Sequence, residues 1–310
     1  MRLLFGKTLH HLILWLPLAA FGAKPSYPPQ MPDAREHVYK KASGSDLKLW
    51  VFQPQDQARR KGKPAIIFFF GGGWRSGTPA QFEKQCEYLA SRGMVAVTAD
   101  YRVSSRQNTQ ATACVEDGKS AVRWMRQNSS RLGIDPKKIA VGGGSAGGHV
   151  AAAIGTVKGF EAEEEDLDIS SKPDALVLFN PAVALADIGK RFVIPAEKKA
   201  DMPARVGTEP KKLSPYHHLS TGLPPTIIFH GTRDDAVPFL TVRLFEERAR
   251  ELDADCRLVS FPEKPHGFFN WGRFANEPFR KSMLETDLFL SKLGWLKGEP
   301  TIEKFIKTQN

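Results

Sequence analysis

Cysteine is scarce: Cys86, Cys114 and Cys256 are the only three in 310 residues. Their spacing matches no zinc pattern, which excludes a thiolate-built zinc module. A chain this long can bury a large core without disulfide or metal staples. In an oxidising compartment one disulfide stays open. Cys86–Cys114 is the favoured pair, since each lies on or near the start of a helix beside the same strand; three buried free thiols are the alternative. Long apolar runs are lacking too. The stretch from Leu12 to Ala20 falls short of the roughly 20 apolar residues of a membrane span. Cationic stripes are missing: the formal net charge of +10 is scattered over pairs such as Lys137-Lys138 and Lys211-Lys212. That pattern and the lack of an RNA-binding aromatic motif exclude a nucleic-acid footprint. Long-range attraction from a basic surface still favours acidic polysaccharides. The acidic run Glu161–Asp166 has neither the glycine nor the spacing of a calcium loop and reads as solvated.

What is present starts with an address. Arg2 and Lys7 precede the short apolar run, and Ala20-Phe21-Gly22 supplies small residues at a cleavage point. This is the three-part pattern of a secretory signal peptide over 1–22, cut near Gly22-Ala23, with an uncleaved anchor as the alternative. No cysteine follows, which argues against a lipoprotein anchor. Secretion and no stable membrane insertion after cleavage are the expectation. Residues 23–45, with Pro25, Pro28, Pro29 and Pro32, read as a linker. One α/β domain is expected over 46–297, and a loosely held tail over 298–310. Asn128-Ser129-Ser130 is a glycosylation sequon, relevant only in a eukaryote.

The periodicity predicts a mostly parallel sheet with helices on both faces. Leu47–Phe52 alternates as an early antiparallel strand. Continuous apolar runs at 65–70, 95–98, 139–141, 175–179 and 225–230 read as strands buried on both faces. Helical patterns lie between them, at about 81–91, 113–127, 237–252 and 278–292. After the strand at 175–179, residues 182–222 show no clean strand and read as a lid-like insertion. Ligands in such sheets bind at the carboxyl ends of the strands.

One strand end is rich in glycine: Gly142-Gly143-Gly144-Ser145-Ala146-Gly147-Gly148-His149. Gly143-x-Ser145-x-Gly147 fits a nucleophile elbow, a tight strand-to-helix turn carrying an exposed serine. Gly142-x-Gly144-x-x-Gly147 also fits a dinucleotide fingerprint. The rest of the chain separates the two. A dinucleotide site opens the first βαβ unit and needs an acid at the end of the next strand. Here two βα units come first, and the next strand ends in Asn180-Pro181. A serine nucleophile needs a histidine base held by an acid, in the chain order Ser, Asp or Glu, His. Of the histidines after Ser145, His266 alone follows both the candidate acids and the last strand, Arg257–Phe261. Asp234 and Asp235 both satisfy the order. His149 reads as a packing or pocket residue in the elbow helix. An oxyanion needs N–H donors: Ala146 supplies one, and Gly71-Gly72-Gly73-Trp74 at another strand end supplies others, chiefly Gly72 and Gly73.

Taken together, Gly71–Trp74, Asp100-Tyr101-Arg102, Gly143–His149, His230-Gly231-Thr232-x-Asp234-x-x-Val237-Pro238 and Pro265-His266-Gly267 resemble the α/β-hydrolase superfamily over nearly all of 45–295. More narrowly the chain is similar to secreted esterases related to acetyl-xylan and feruloyl esterases, near the hormone-sensitive-lipase-like branch. The resemblance implies Asp234 as the acid, because its pattern places the aspartate just before the Val-Pro helix start. It implies a serine carboxylesterase acting on small acyl esters or acylated carbohydrate, with no cofactor and no metal. Phe70 departs from the pattern, which often has histidine before the glycines, and puts the loop geometry in question. A prolyl-oligopeptidase-type peptidase shares the triad order but carries a propeller. An inactive carbohydrate-binding homologue has no use for a complete triad. Oligomeric state and acyl specificity stay open.

Overall fold

The computed structural model describes residues 27–54 and 62–309; the expected signal peptide lies outside them. Eight strands form one sheet: β1 (Arg35–Ala42), β2 (Ser45–Phe52), β3 (Lys63–Phe69), β4 (Val95–Ala99), β5 (Ile134–Gly144), β6 (Ala175–Phe179), β7 (Thr226–Gly231) and β8 (Cys256–Phe261). Their spatial order is β1-β2-β4-β3-β5-β6-β7-β8. The β1–β2 and β2–β4 pairings are antiparallel and every other pairing is parallel. The helices are α1 (Glu83–Ser91), α2 (Ser104–Gln107), α3 (Ala111–Gln127), α4 (Ser129–Leu132), α5 (Ala146–Thr156), α6 (Ala196–Val206), α7 (Phe239–Glu251), α8 (Glu277–Lys292) and α9 (Ile302–Gln309). No helix among the described residues is long and apolar enough to cross a membrane.

The strands are apolar on both faces because helices cover both. Ile67, Phe69, Val97, Val141 and Leu178 face one side, against Val115 and Val122 of α3, Val150 of α5 and Phe245 of α7. Ile66, Phe68, Ala96, Val177 and Phe179 face the other, against Leu89 of α1 and Phe279 and Met283 of α8.

Four expectations are corrected. The linker expected over 23–45 contains β1, whose residues pair with β2 from Arg35↔Val51 to Ala42↔Ser45. The tail expected to be loose forms α9, because Ile302 and Phe305 are apolar at helical spacing and bury; Phe305 meets the Tyr88 ring at 5.5 Å. The Cys86–Cys114 disulfide is absent and all three cysteines are free thiols. Cys86 of α1 and Cys114 of α3 belong to the cores on opposite faces of the sheet, so the sheet separates them. The acidic run is not wholly solvated: Glu161 pairs with Lys119 at 2.6 Å and Arg123 at 2.8 Å, and Glu165 pairs with Arg123.

Candidate active site

The β5–α5 junction is a sharp turn. Ser145 holds φ +55° and ψ −116°, a strained combination for a residue with a side chain. Its N–H donates to the Phe179 carbonyl at 2.9 Å, tying the turn to the end of β6. Gly147 allows α5 to start directly against β3. A Cβ there would lie 2.0 Å from the Phe69 carbonyl oxygen and 2.3 Å from that of Phe70.

The later strands bring two side chains to this serine. His266, in the loop after β8, places Nε2 2.9 Å from Ser145 Oγ and Nδ1 2.7 Å from Asp234 Oδ2. Asp234 is buried behind the histidine, while Asp235 next to it is exposed, so geometry separates two acids that chain order left equal. The facing carboxylate keeps the proton on Nδ1, leaving the Nε2 lone pair toward the hydroxyl. Burial raises the Asp234 pKa, but the hydrogen bonds from His230, His266 and the Val237 N–H outweigh it and hold the carboxyl well below the usual range.

The loop after β3 forms the opposite wall. Gln81 Oε1 accepts the Gly71 N–H at 2.6 Å. The N–H groups of Gly72 and Gly73 have no acceptor among the described residues, and both glycines line the pocket. Gly72 sits at φ +129°, where a Cβ would come within 2.1 Å of the Ser76 carbonyl oxygen. Ala146 opens α5, so its N–H has no intrahelical acceptor. The loop question raised by Phe70 has a local answer: Phe70 stacks on Tyr101 with ring centroids 4.1 Å apart, and the Tyr101 hydroxyl donates to the Phe70 carbonyl at 2.6 Å.

Three supporting residues escaped the sequence reading. His230 Nε2 lies 3.2 Å from Asp234 Oδ2 and 2.9 Å from the Val237 carbonyl, a second imidazole on the same carboxylate. Asn180 Oδ1 accepts the Gly267 N–H at 3.1 Å and anchors the histidine loop to the end of β6. Gln81 joins the glycine loop to Asn270 at 2.9 Å. Their signal was position alone: polar residues at, or just beyond, the carboxyl ends of central strands. His149 packs as expected. Its Nδ1 accepts from the Trp74 indole at 3.2 Å and its Nε2 donates to the Leu213 carbonyl at 2.9 Å.

These groups surround a pocket of about 640 Å³ with Ser145 and His266 in its lining. Residues 182–222 provide one wall through Ala182, Leu185, Phe192, Ile194 and Met202; Trp74, Val237 and Phe269 complete the apolar surface. A hydroxyl nucleophile, a base, and free N–H groups facing one apolar cavity suit acyl transfer. Among the described residues, no group of three or more His, Cys, Asp or Glu side chains could hold a metal ion.

The BD-FAE family model matches residues 49–248. The chain is 50% identical to Thermogutta terrifontis esterase 2, with a TM-score of 0.86 over 88% of this chain and 100% of that one. It is 30% identical to Esterase LipC of Mycobacterium tuberculosis, over 67% of this chain and 54% of the relative. It is 25% identical to Endo-1,4-beta-xylanase B of Butyrivibrio fibrisolvens, over 88% of this chain and 40% of the relative. The chain therefore spans about half the length of these curated relatives.

Proposed function

The chain belongs to the BD-FAE family of α/β-hydrolase esterases, and from that premise we propose that it is a secreted serine carboxylesterase for short acyl esters, acetyl esters foremost, carried on polysaccharide. Ser145 Oγ attacks the ester carbonyl while His266 Nε2 takes its proton. Asp234 fixes the imidazole tautomer and stabilises the imidazolium. The N–H groups of Gly72, Gly73 and Ala146 receive the oxyanion. His266 returns the proton to the departing alcohol, leaving an acyl-Ser145 ester. Water, deprotonated by the same imidazole, then releases the acid and regenerates the serine.

The observation that carries this reading is the unbroken chain Ser145–His266–Asp234, at 2.9 and 2.7 Å, on the wall of an apolar pocket. Short acyl groups are supported by the Thermogutta esterase, solved with propionate and with butyrate bound. A polysaccharide carrier is supported by the name of the Butyrivibrio xylanase.

The test is turnover of p-nitrophenyl acetate by wild type and Ser145→Ala. The variant should lose about 10⁵-fold or more in kcat, and wild-type-like turnover would overturn the mechanism. Intact-mass analysis of secreted protein treated with a fluorophosphonate reads two further points. One adduct, lost in Ser145→Ala, marks the nucleophile; a chain starting at Ala23 marks signal cleavage, and one starting at Met1 rejects it.

A further inference from the structure

Three cations face the active-site pocket: Lys198 and Arg205 from α6, and Arg273 from the loop after His266. On α6, Lys198, Met202 and Arg205 fall at i, i+4 and i+7, so one helical face turns two basic groups and an apolar side chain to the cavity. Among the described residues, no Asp or Glu lines that cavity. Two other cations of the insertion are neutralised: Lys199 pairs with Asp187 at 2.6 Å and Arg191 with Glu247 at 2.6 Å. Lys198, Arg205 and Arg273 have no ion-pair partner among the described residues. Asp201, on the same helix, lines the adjoining furrow, which shares Gly73, Trp74 and Arg205 with the pocket, and makes no ion pair with Arg205 among the described residues.

The arginines stand over the two reacting loops. The Arg205 guanidinium lies 5.4 Å from the Trp74 ring, with Nη2 3.4 Å from the Gly73 carbonyl. Arg273 Nη1 donates to the His266 carbonyl at 3.0 Å. Positive charge thus flanks the reaction centre on both sides, at the mouth of a cavity whose interior is apolar. A neutral ester has no use for this, whereas a substrate carrying an anion supplies the missing counter-charge.

We propose that the natural ester bears a carboxylate, which Arg205 and Lys198 hold at the pocket mouth while the acyl group enters the apolar interior. The proposal rests on the esterase reading above. A carboxylate on the alcohol side and one on the acyl side share this chemistry, and two substrate pairs separate them. The acetyl ester of 4-hydroxybenzoate, against that of its methyl ester, places the charge on the alcohol. Mono-p-nitrophenyl succinate, against p-nitrophenyl butyrate, places it on the acyl chain. The readout is the charged-to-neutral ratio of kcat/KM, in which intrinsic leaving-group differences cancel between proteins.

In Lys198→Gln/Arg205→Gln the ratio should fall at least about fivefold for one pair, the scale of two partly exposed ion pairs. In the wild type, without any mutation, it should fall as NaCl rises from about 20 to about 500 mM. Ratios unchanged for both pairs, in the variant and in salt, would overturn the anion site while leaving the esterase reading intact. Failure of the wild type to turn over any of the four esters would overturn the esterase reading and this proposal with it.

Discussion

A carboxylate that orients an imidazole must not itself rotate, and Asp234 is held at both oxygens. Oδ1 accepts the N–H groups of Ala236 at 3.0 Å and Val237 at 2.8 Å, while Oδ2 faces His230 and His266. That frame explains why two adjacent aspartates that chain order leaves equal have different surroundings. His149 is a second residue whose environment dictates its chemistry. Burial pushes its imidazole down to about 4, although the bond to the Leu213 carbonyl acts the other way. In the unfolded chain it takes up a proton near pH 6.5. Between those values the unfolded state binds the extra proton, so stability falls as pH drops from about 6.5 toward 4. This group alone should cost about 2 kcal/mol between pH 7 and pH 5. Urea midpoints at the two pH values measure it, with His149→Gln as reference. The wild type should show the steeper loss, because His37 and His217, also held below their ordinary range, act equally in both proteins. Identical slopes would mean that His149 does not titrate in this window.

At the scale of the element, the elbow is the joint on which the site depends. The three atoms that a Gly147 Cβ would strike belong to the backbone carbonyls of Phe69 and Phe70 at the β3 end, not to flexible side chains. Relief requires moving α5 away from the sheet. Gly147→Ala should therefore destabilise by about 3 kcal/mol or more, read as a lower urea midpoint at unchanged slope; a midpoint within experimental scatter of wild type would contradict the packing. The elbow was legible because its glycines are required within a few residues of one another. The strands with continuous apolar runs, and the helices between them, were legible for the same local reason. The insertion was not. Its α6 contains Pro203 and a single buried residue, Val206, so its pattern is weak. α9 was missed because two apolar residues, Ile302 and Phe305, dock a short helix that carries little signal of its own.

At the scale of the whole molecule, the sheet divides the core, and the thiols report that division. Cys86 and Cys114 are buried, with burial pushing both thiols well up, and Cys256 near the sheet edge is pushed up to about 12. Native protein should react slowly with Ellman's reagent at neutral pH, release three thiols on denaturation, and melt at the same temperature with or without reductant. Two missing thiols would instead reveal a disulfide. The amino-acid sequence by itself determined the class of sheet, the serine at its turn, the histidine that closes the order and the glycines of the opposing loop, because each is written in short-range spacing. Only the tertiary structure placed His230 and Asn180 beside Asp234 and His266, put Cys86 and Cys114 on opposite faces and gathered Lys198, Arg205 and Arg273 around one pocket. Those outcomes depend on which residues, far apart along the chain, the crossovers of a parallel sheet bring to the same strand ends, and spacing within a segment carries no record of that.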